Sequence, residues 1–488
     1  MSISNKSIFD KIYGLDTRSL AIGRILLGIY LIFNLCIHKL YHYKEFYSPV
    51  SGLFKGDAMH LPDLAFLSFI HNISTDTGMI FYFIVLLVLL VAFTVGFFAN
   101  YTGFVAALFL SALQWKFMPL RMGFDIYAEI ILFLYAFLPS DVYFSMNTIS
   151  KPNSTHHEYR SKWAFLFLFQ IGLFYLTTAI LKDGDSWMQG SAVAYALKDI
   201  NLAYNQAKYL LQYPKLLQVI SYSVLIFEFL IIVLIFLPFY SKKVRIFLSF
   251  SMLFLHWGIA LFINVGHFQY ITSIVAIVLL PNTIWDRIHI HIKRPKFLEK
   301  IDFKVPDSFI RNNSIVGYLA FIYILIGIVL SNYIFIVRYK NSLEYNSSNE
   351  EIYNQSLKPF PNLGVFRQGF QLYAPNPPLK AEALSLIGNF ENDIRIDLLT
   401  HQKVANNYNH KTNLPFWDYR ILLLSTLTTR YNNYFFSSLL KAWAYQNANN
   451  VAKQYKYKPL NIKIILHEFY YDENIPKRLK NDTLFLLK

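Results

Sequence analysis

Lys182 ends a long apolar run, Phe165 to Leu181, and begins the turn Lys182-Asp183-Gly184-Asp185-Ser186-Trp187. An amine at such a boundary has two uses. It can reach for water beside an interfacial tryptophan as a membrane anchor. Where burial disfavours the ammonium, it can instead take a proton as a general base. Asp183 and Asp185 act against the second use, because neighbouring carboxylates favour the charged amine.

Other ionisable groups stand inside apolar runs, where charge is costly and calls for a partner or a ligand. Arg24 lies in the first run, Asp125 and Glu129 in the fourth, Glu228 in the sixth and His256 in the seventh. Arg24 is expected to clamp the bundle by pairing with Glu129 or Glu228, or else to touch a polar ligand. His256, in His256-Trp257-Gly258, suits an interhelical hydrogen bond or the positioning of a reactant. Asp125 follows Arg121 by four residues and can be its helical ion-pair partner.

The elements that must position these residues are membrane helices. Of 488 residues, 55% are hydrophobic and 15% charged, which is too apolar for one or two water-soluble domains of that length. Bilayer-length stretches run at roughly Ser19 to Ile37, Met79 to Phe98, Thr102 to Leu120, Phe124 to Leu138 and Ser161 to Leu181. Four more follow, at roughly Leu216 to Leu237, Val244 to Asn264, Phe268 to Pro281 and Ser314 to Val337. About nine spans result, with the third, fourth and eighth the weakest because Lys116, Asp125 and Glu129 interrupt two and the last is short.

Lysine and arginine concentrate in one set of connections: Lys6, Lys11, Arg18; Lys151, Arg160, Lys162; Lys242, Lys243, Arg245; and Arg287 through Arg311. The positive-inside rule then puts the N-terminus in the cytoplasm and everything after Val337 outside. The basic start resembles a signal peptide, but no small-residue cleavage site follows closely, so a retained first helix is expected. The basic residues form no single face, which excludes nucleic acid as a partner. Cys36 is the only cysteine, which excludes an intrachain disulfide, CxxC redox chemistry and multi-cysteine metal sites.

Beyond residue 337 the composition turns polar, with Asn- and Pro-rich stretches. A mainly α fold follows: a transmembrane bundle over residues 1–337, then a small α+β extracytoplasmic domain over residues 338–488. In that domain Ala383 to Phe390 and Ile394 to Leu399 read as a hairpin about an Asn-Asp turn. Ile462 to Phe469 reads as a further strand and Phe416 to Trp443 as helix.

Four stretches together resemble the HTTM-domain membrane proteins, which include vitamin K-dependent γ-carboxylase and bacterial relatives. They are Asp16-Thr17-Arg18-Ser19-Leu20-Ala21-Ile22-Gly23-Arg24 with Phe46 to Leu53; Tyr175 to Leu197; His256 to Leu261 with Gly266-His267-Phe268; and Gln371 to Pro378. The resemblance covers most of the chain. Lys182 matches the proposed catalytic lysine of the carboxylases in type and in standing five residues before a tryptophan. It implies a base that deprotonates a reduced quinone, oxygen as co-reactant, abstraction of a glutamate γ-proton and addition of carbon dioxide, with no metal. The chain departs from the carboxylases at Phe124-Asp125, where they carry a histidine in an Asn-Asn-His run, and in lacking the cysteines for their disulfide.

The expected function is thus a quinone-linked lyase or carboxylase in a bacterial inner membrane, its pocket opening outward between the middle helices. Lys182 is the base, with His256 and Asp125 as polar positioners, while Arg24, Glu129, Trp187 and Glu228 hold the cofactor, reduced vitamin K or menaquinol. Membrane lipid, quinone and a peptide or protein on the outer face are the expected partners. The alternative is a non-catalytic scaffold, maturation or immunity factor in which the same residues hold helices together. A transporter is disfavoured, since no inverted repeat or matching pair of broken helices stands out.

Overall fold

A computed structural model describes residues 14–54, 65–146, 158–239, 241–288, 315–343, 372–378, 381–404, 420–430, 432, 434–472 and 475–487. The loop cations Lys6, Lys11, Lys55, Lys151 and those from Lys293 to Arg311 lie outside these residues, as do Gln371 and residues 416–419.

Nine helices carry the nine apolar stretches: α1 Thr17–Phe33, α2 Asp76–Val95, α3 Ala99–Lys116, α4 Gly123–Tyr135, α5 Lys162–Leu181, α6 Pro214–Ile235, α7 Ser241–Phe262, α8 Phe268–Val278 and α9 Ile315–Leu343. Six of them are long and apolar enough to cross a membrane: α1 with its extension, α2, α5, α6, α7 and α9. The other three, α3, α4 and α8, fall short of that standard, and they are the ones in which charge or brevity weakened the sequence pattern.

The starts of these helices are set by capping side chains. Asp16 accepts from the backbone N–H groups of Arg18 and Ser19, Thr75 from Gly78 and Ser161 from Ala164, each satisfying a donor that a helix start leaves open. Gly96 ends α2 at φ 77°, and a Cβ there would stand 2.6 Å from Ser145, so both the left-handed turn and the close approach call for glycine. Past Phe33, α1 continues as a wider π-helical turn, Asn34–Leu40, which carries His38 and Lys39 into the bundle.

The bundle buries polar residues within an apolar core and leaves large apolar side chains on its outside. In α7 the buried positions include Arg245, Ser249 and His256, whereas Phe247, Phe250, Phe254 and Leu261 are exposed. In α6 Ser221 and Glu228 are buried, whereas Val219, Ile226, Phe229 and Val233 are exposed. Polar side chains turned inward and apolar ones outward is the pattern hydrocarbon solvent imposes.

After α9, four antiparallel strands form one sheet in the order β4-β3-β5-β6, with β3 Ala381–Phe390, β4 Ile394–Asp397, β5 Pro459–Asp472 and β6 Ile475–Leu487. A separate two-strand pair, β1 Leu15–Asp16 with β2 Glu158–Tyr159, ties the start of α1 to the start of α5. The expected hairpin is β3–β4, turning at Asn392 and Asp393, which both have positive φ. Two helices, α10 Arg420–Arg430 and α11 Tyr434–Tyr455, pack on β3 and β5 where one helical stretch was expected. Trp443 of α11 is fully buried.

This sheet region docks on the bundle. Trp443 donates to the Glu45 carboxylate at 2.9 Å, Gln446 donates to the Glu45 and Ser51 carbonyls, and Asn201 donates to the Glu382 carbonyl.

Candidate functional site

The site begins with how α5 and α6 lie against each other. Gly172 touches the backbone of Ile232, a Cβ at residue 172 standing only 3.2 Å from the Ile232 Cα. Counting antiparallel from that contact brings the backbone of Lys182 level with Tyr222, six residues short of Glu228, or about 9 Å of helix. Helical Cβ bonds lean toward the N-terminus, so Glu228 of α6 leans up toward the end of α5, and Lys182 leans back down. They meet, with Lys182 Nζ 2.5 and 2.6 Å from the two Glu228 carboxylate oxygens.

The amine therefore runs back into the bundle, opposite to snorkelling, and Lys182 is only 8% exposed. Trp187 covers it, the ring centroid 4.8 Å from Nζ, within range of a cation–π contact.

Seven residues before Lys182, on the same face of α5, stands Tyr175, whose hydroxyl is 2.7 Å from His256 Nε2 of α7. Both are buried, and Thr177 on the neighbouring face bonds Asn332 of α9 at 2.9 Å. Amine, carboxylate, phenol and imidazole thus converge where α5, α6 and α7 meet. Tyr175 was not singled out in the sequence, although its spacing of two helical turns from Lys182 carried the signal.

Asp125 does not join this group. Its Oδ1 accepts from Lys39 at 3.2 Å and Asn34 at 3.4 Å, and its Oδ2 accepts from the Met122 backbone N–H at 3.1 Å. The expected Arg121–Asp125 pair is replaced: Arg121 reaches one turn further to Glu129 at 3.2 Å and also donates to Gln114 at 3.0 Å. Lys39, Tyr47, Gln114, Phe117 and Arg121 line a narrow crevice beside this cluster. Tyr127 stacked on Phe174, with Phe268 beside both, stands between the two polar groups.

Arg24 pairs with neither Glu129 nor Glu228. It donates to the Ser140 carbonyl at 2.6 Å and to the Phe144 carbonyl, binding α1 to the segment after α4. The reason is depth: Arg24 is near the start of α1 and Glu129 near the start of α4, and these starts lie at opposite ends, since Lys39 past the end of α1 meets Asp125.

Of the expected site residues, then, Lys182, Glu228, Trp187 and His256 come together, Asp125 and Glu129 share a second cluster, and Arg24 stands apart. Among the described residues no group of three or more His, Cys, Asp or Glu side chains is disposed to hold a metal ion. No family model, curated protein or solved structure matches the chain.

Proposed function

We propose that the chain is a membrane-embedded acid–base enzyme of the HTTM, vitamin K-dependent γ-carboxylase-like type, a quinone-linked lyase or carboxylase with Lys182 as its base. One observation carries this: a buried amine turned away from water onto both oxygens of Glu228, with Tyr175 and His256 alongside. Across so short a contact a proton has little distance to travel between nitrogen and oxygen. Passing it to Glu228 leaves a free amine able to deprotonate a reactant; the pair then holds one extra proton, and it resets when Glu228 releases that proton to solvent or product. Tyr175 and His256 supply a second exchangeable pair beside the first, and the flat Trp187 indole offers a stacking face.

A reduced quinone, as reduced vitamin K or menaquinol, would supply an ionisable ring hydroxyl and two electrons. The chemistry such a group would need is present around Lys182, where base, proton-holding carboxylate and indole ring occupy one spot. Arg24 and Glu129 are too remote to hold the same ring.

The membrane topology we propose has nine crossings, a cytoplasmic N-terminus and the region after residue 337 outside a bacterial inner membrane. Contacts of Glu45 with α11, and of Asn201 with β3, support one common side for the loop after α1, the connection after α5 and the sheet region. Membrane lipid, a quinone and an outer-face peptide or protein are the proposed partners.

A non-catalytic role, as scaffold, maturation or immunity factor, draws support from a different observation. Lys39–Asp125, Arg121–Glu129 and Lys182–Glu228 each close within the chain; the first and third join helices, and the second ties the connection before α4 to α4 itself. The deciding experiment supplies purified wild type and Lys182→Ala with reduced quinone, oxygen and labelled bicarbonate. Wild type is expected to oxidise the quinol, and Lys182→Ala to lose about 100-fold or more of that rate. Absence of turnover in both overturns the enzyme and favours the scaffold.

A further inference from the structure

Residues 372–378, the tract Leu-Tyr-Ala-Pro-Asn-Pro-Pro, lie across the turn that follows Lys182. Trp187 donates its indole N–H to the Tyr373 carbonyl at 2.8 Å and Gly184 its backbone N–H to the Pro375 carbonyl at 3.2 Å. Ser186 donates both its backbone N–H, at 2.9 Å, and its hydroxyl, at 2.6 Å, to Asn376 Oδ1. The Tyr373 hydroxyl reaches Asp199 at 3.4 Å. The seating is close: a Cβ at Gly184 would stand 2.3 Å from the Asn376 amide.

We propose that residues 372–378 form a latch that governs access to the Lys182 amine. Trp187 is the cover over that amine, and its indole N–H is anchored to the latch and not to the bundle. One atom, Asn376 Oδ1, takes two of the four bonds that hold residues 184–187 to the latch. All four are neutral hydrogen bonds, each of modest net strength, whereas Lys182 and Glu228 are joined by charge. Lifting the latch therefore frees Trp187 and uncovers the amine while the pair beneath it stays assembled. The consequence for catalysis rests on the acid–base proposal, but access itself does not.

The test is acylation of lysines by a water-soluble sulfonated succinimidyl ester on the full-length protein in detergent, read peptide by peptide by mass spectrometry. Asn376→Ala is expected to raise the rate at Lys182 by about tenfold, since a closed latch keeps the open form a minor population. Asn376→Asp, which keeps the acceptor, stays near wild type, and exposed Lys208 and Lys215 report equal reagent in all samples. Equal Lys182 rates in wild type and Asn376→Ala overturn the latch. A parallel rise at buried Lys39 also overturns it, by assigning the gain to a loosened bundle. This readout needs no turnover, so the latch and the enzyme can fail separately.

Discussion

Lys182 meets Glu228 through both carboxylate oxygens at 2.5 and 2.6 Å, whereas Lys39 meets Asp125 through one oxygen at 3.2 Å. The looser pair does more structural work. Asp125 closes the first turn of α4 through the Met122 N–H, binds Asn34 of the α1 extension, and its backbone carbonyl accepts from Gln114 of α3. Removing its carboxylate would release the first turn of α4 and the α1 extension, while the Gln114 bond to its backbone carbonyl remains. The side chains of the tighter pair cap no helix among the described residues and chiefly satisfy each other. Buried ion pairs of that kind are often matched or bettered in stability by apolar residues of similar volume. Stability thus explains Asp125 and gives little reason for Lys182, which is why function is assigned to one cluster and architecture to the other.

The strongest challenge to that contrast is Glu228→Leu, which leaves a buried cation unpaired and is expected to lower stability by about 3 to 5 kcal/mol. The double variant Lys182→Met with Glu228→Leu is expected within about 1 kcal/mol of wild type in denaturant unfolding in detergent. A double variant as unstable as the single one would break the comparison. The corresponding double at the other cluster, Lys39→Met with Asp125→Ala, should stay destabilised by about 1 to 2 kcal/mol, because the bond to the Met122 N–H is gone. Recovery there to wild-type stability would erase the distinction from the opposite side.

Arg24→Leu is expected to cost a further, separable amount, about 1.5 to 3 kcal/mol, from the loss of charged bonds to two carbonyls. It should add to the Asp125 effect without coupling, the two sites being at opposite ends of α1.

A further effect is one of pH. His267, in the turn between α7 and α8, has its imidazole lowered from 6.5 to about 3 by burial first, then by His38 and Lys39. The unfolded chain takes up that proton below about 6.5 and the folded chain does not, so stability is intact above 6.5 and falls as the pH drops toward 3. The slope is at most about 1.4 kcal/mol per pH unit. His267→Phe should flatten the fall of Tm across that window, and an unchanged slope would remove His267 from the account.

Much of the fold was legible because hydrocarbon solvent imposes a pattern on single segments. All nine apolar stretches are helices, and the three that fall short in length or apolarity are the ones in which charge or brevity weakened the pattern. The β3–β4 hairpin was legible through its turn residues. Strand β6 was not: Lys477, Arg478, Lys480 and Asp482 break its apolar alternation, as suits a strand at a sheet edge.

Pairings were the least legible, because they depend on depth and rotation of separate helices. Contrary to the expected pairing, counting rise separates Arg24, about 10 Å along α1, from Glu129, about 9 Å from the opposite end of the bundle along α4. It was not enough to foresee Lys182–Glu228. That pair needs the α5–α6 register fixed by Gly172 against Ile232, and the opposed lean of the two side chains.

The contrast between the clusters is tested most directly by quinol oxidation per folded molecule in Lys182→Met and Lys39→Met, with folded fraction measured on the same samples. The expected result is a loss of about 100-fold or more for Lys182→Met, and for Lys39→Met a smaller folded fraction with near wild-type turnover per folded molecule. Wild-type turnover in Lys182→Met, or equal losses in both, would contradict it.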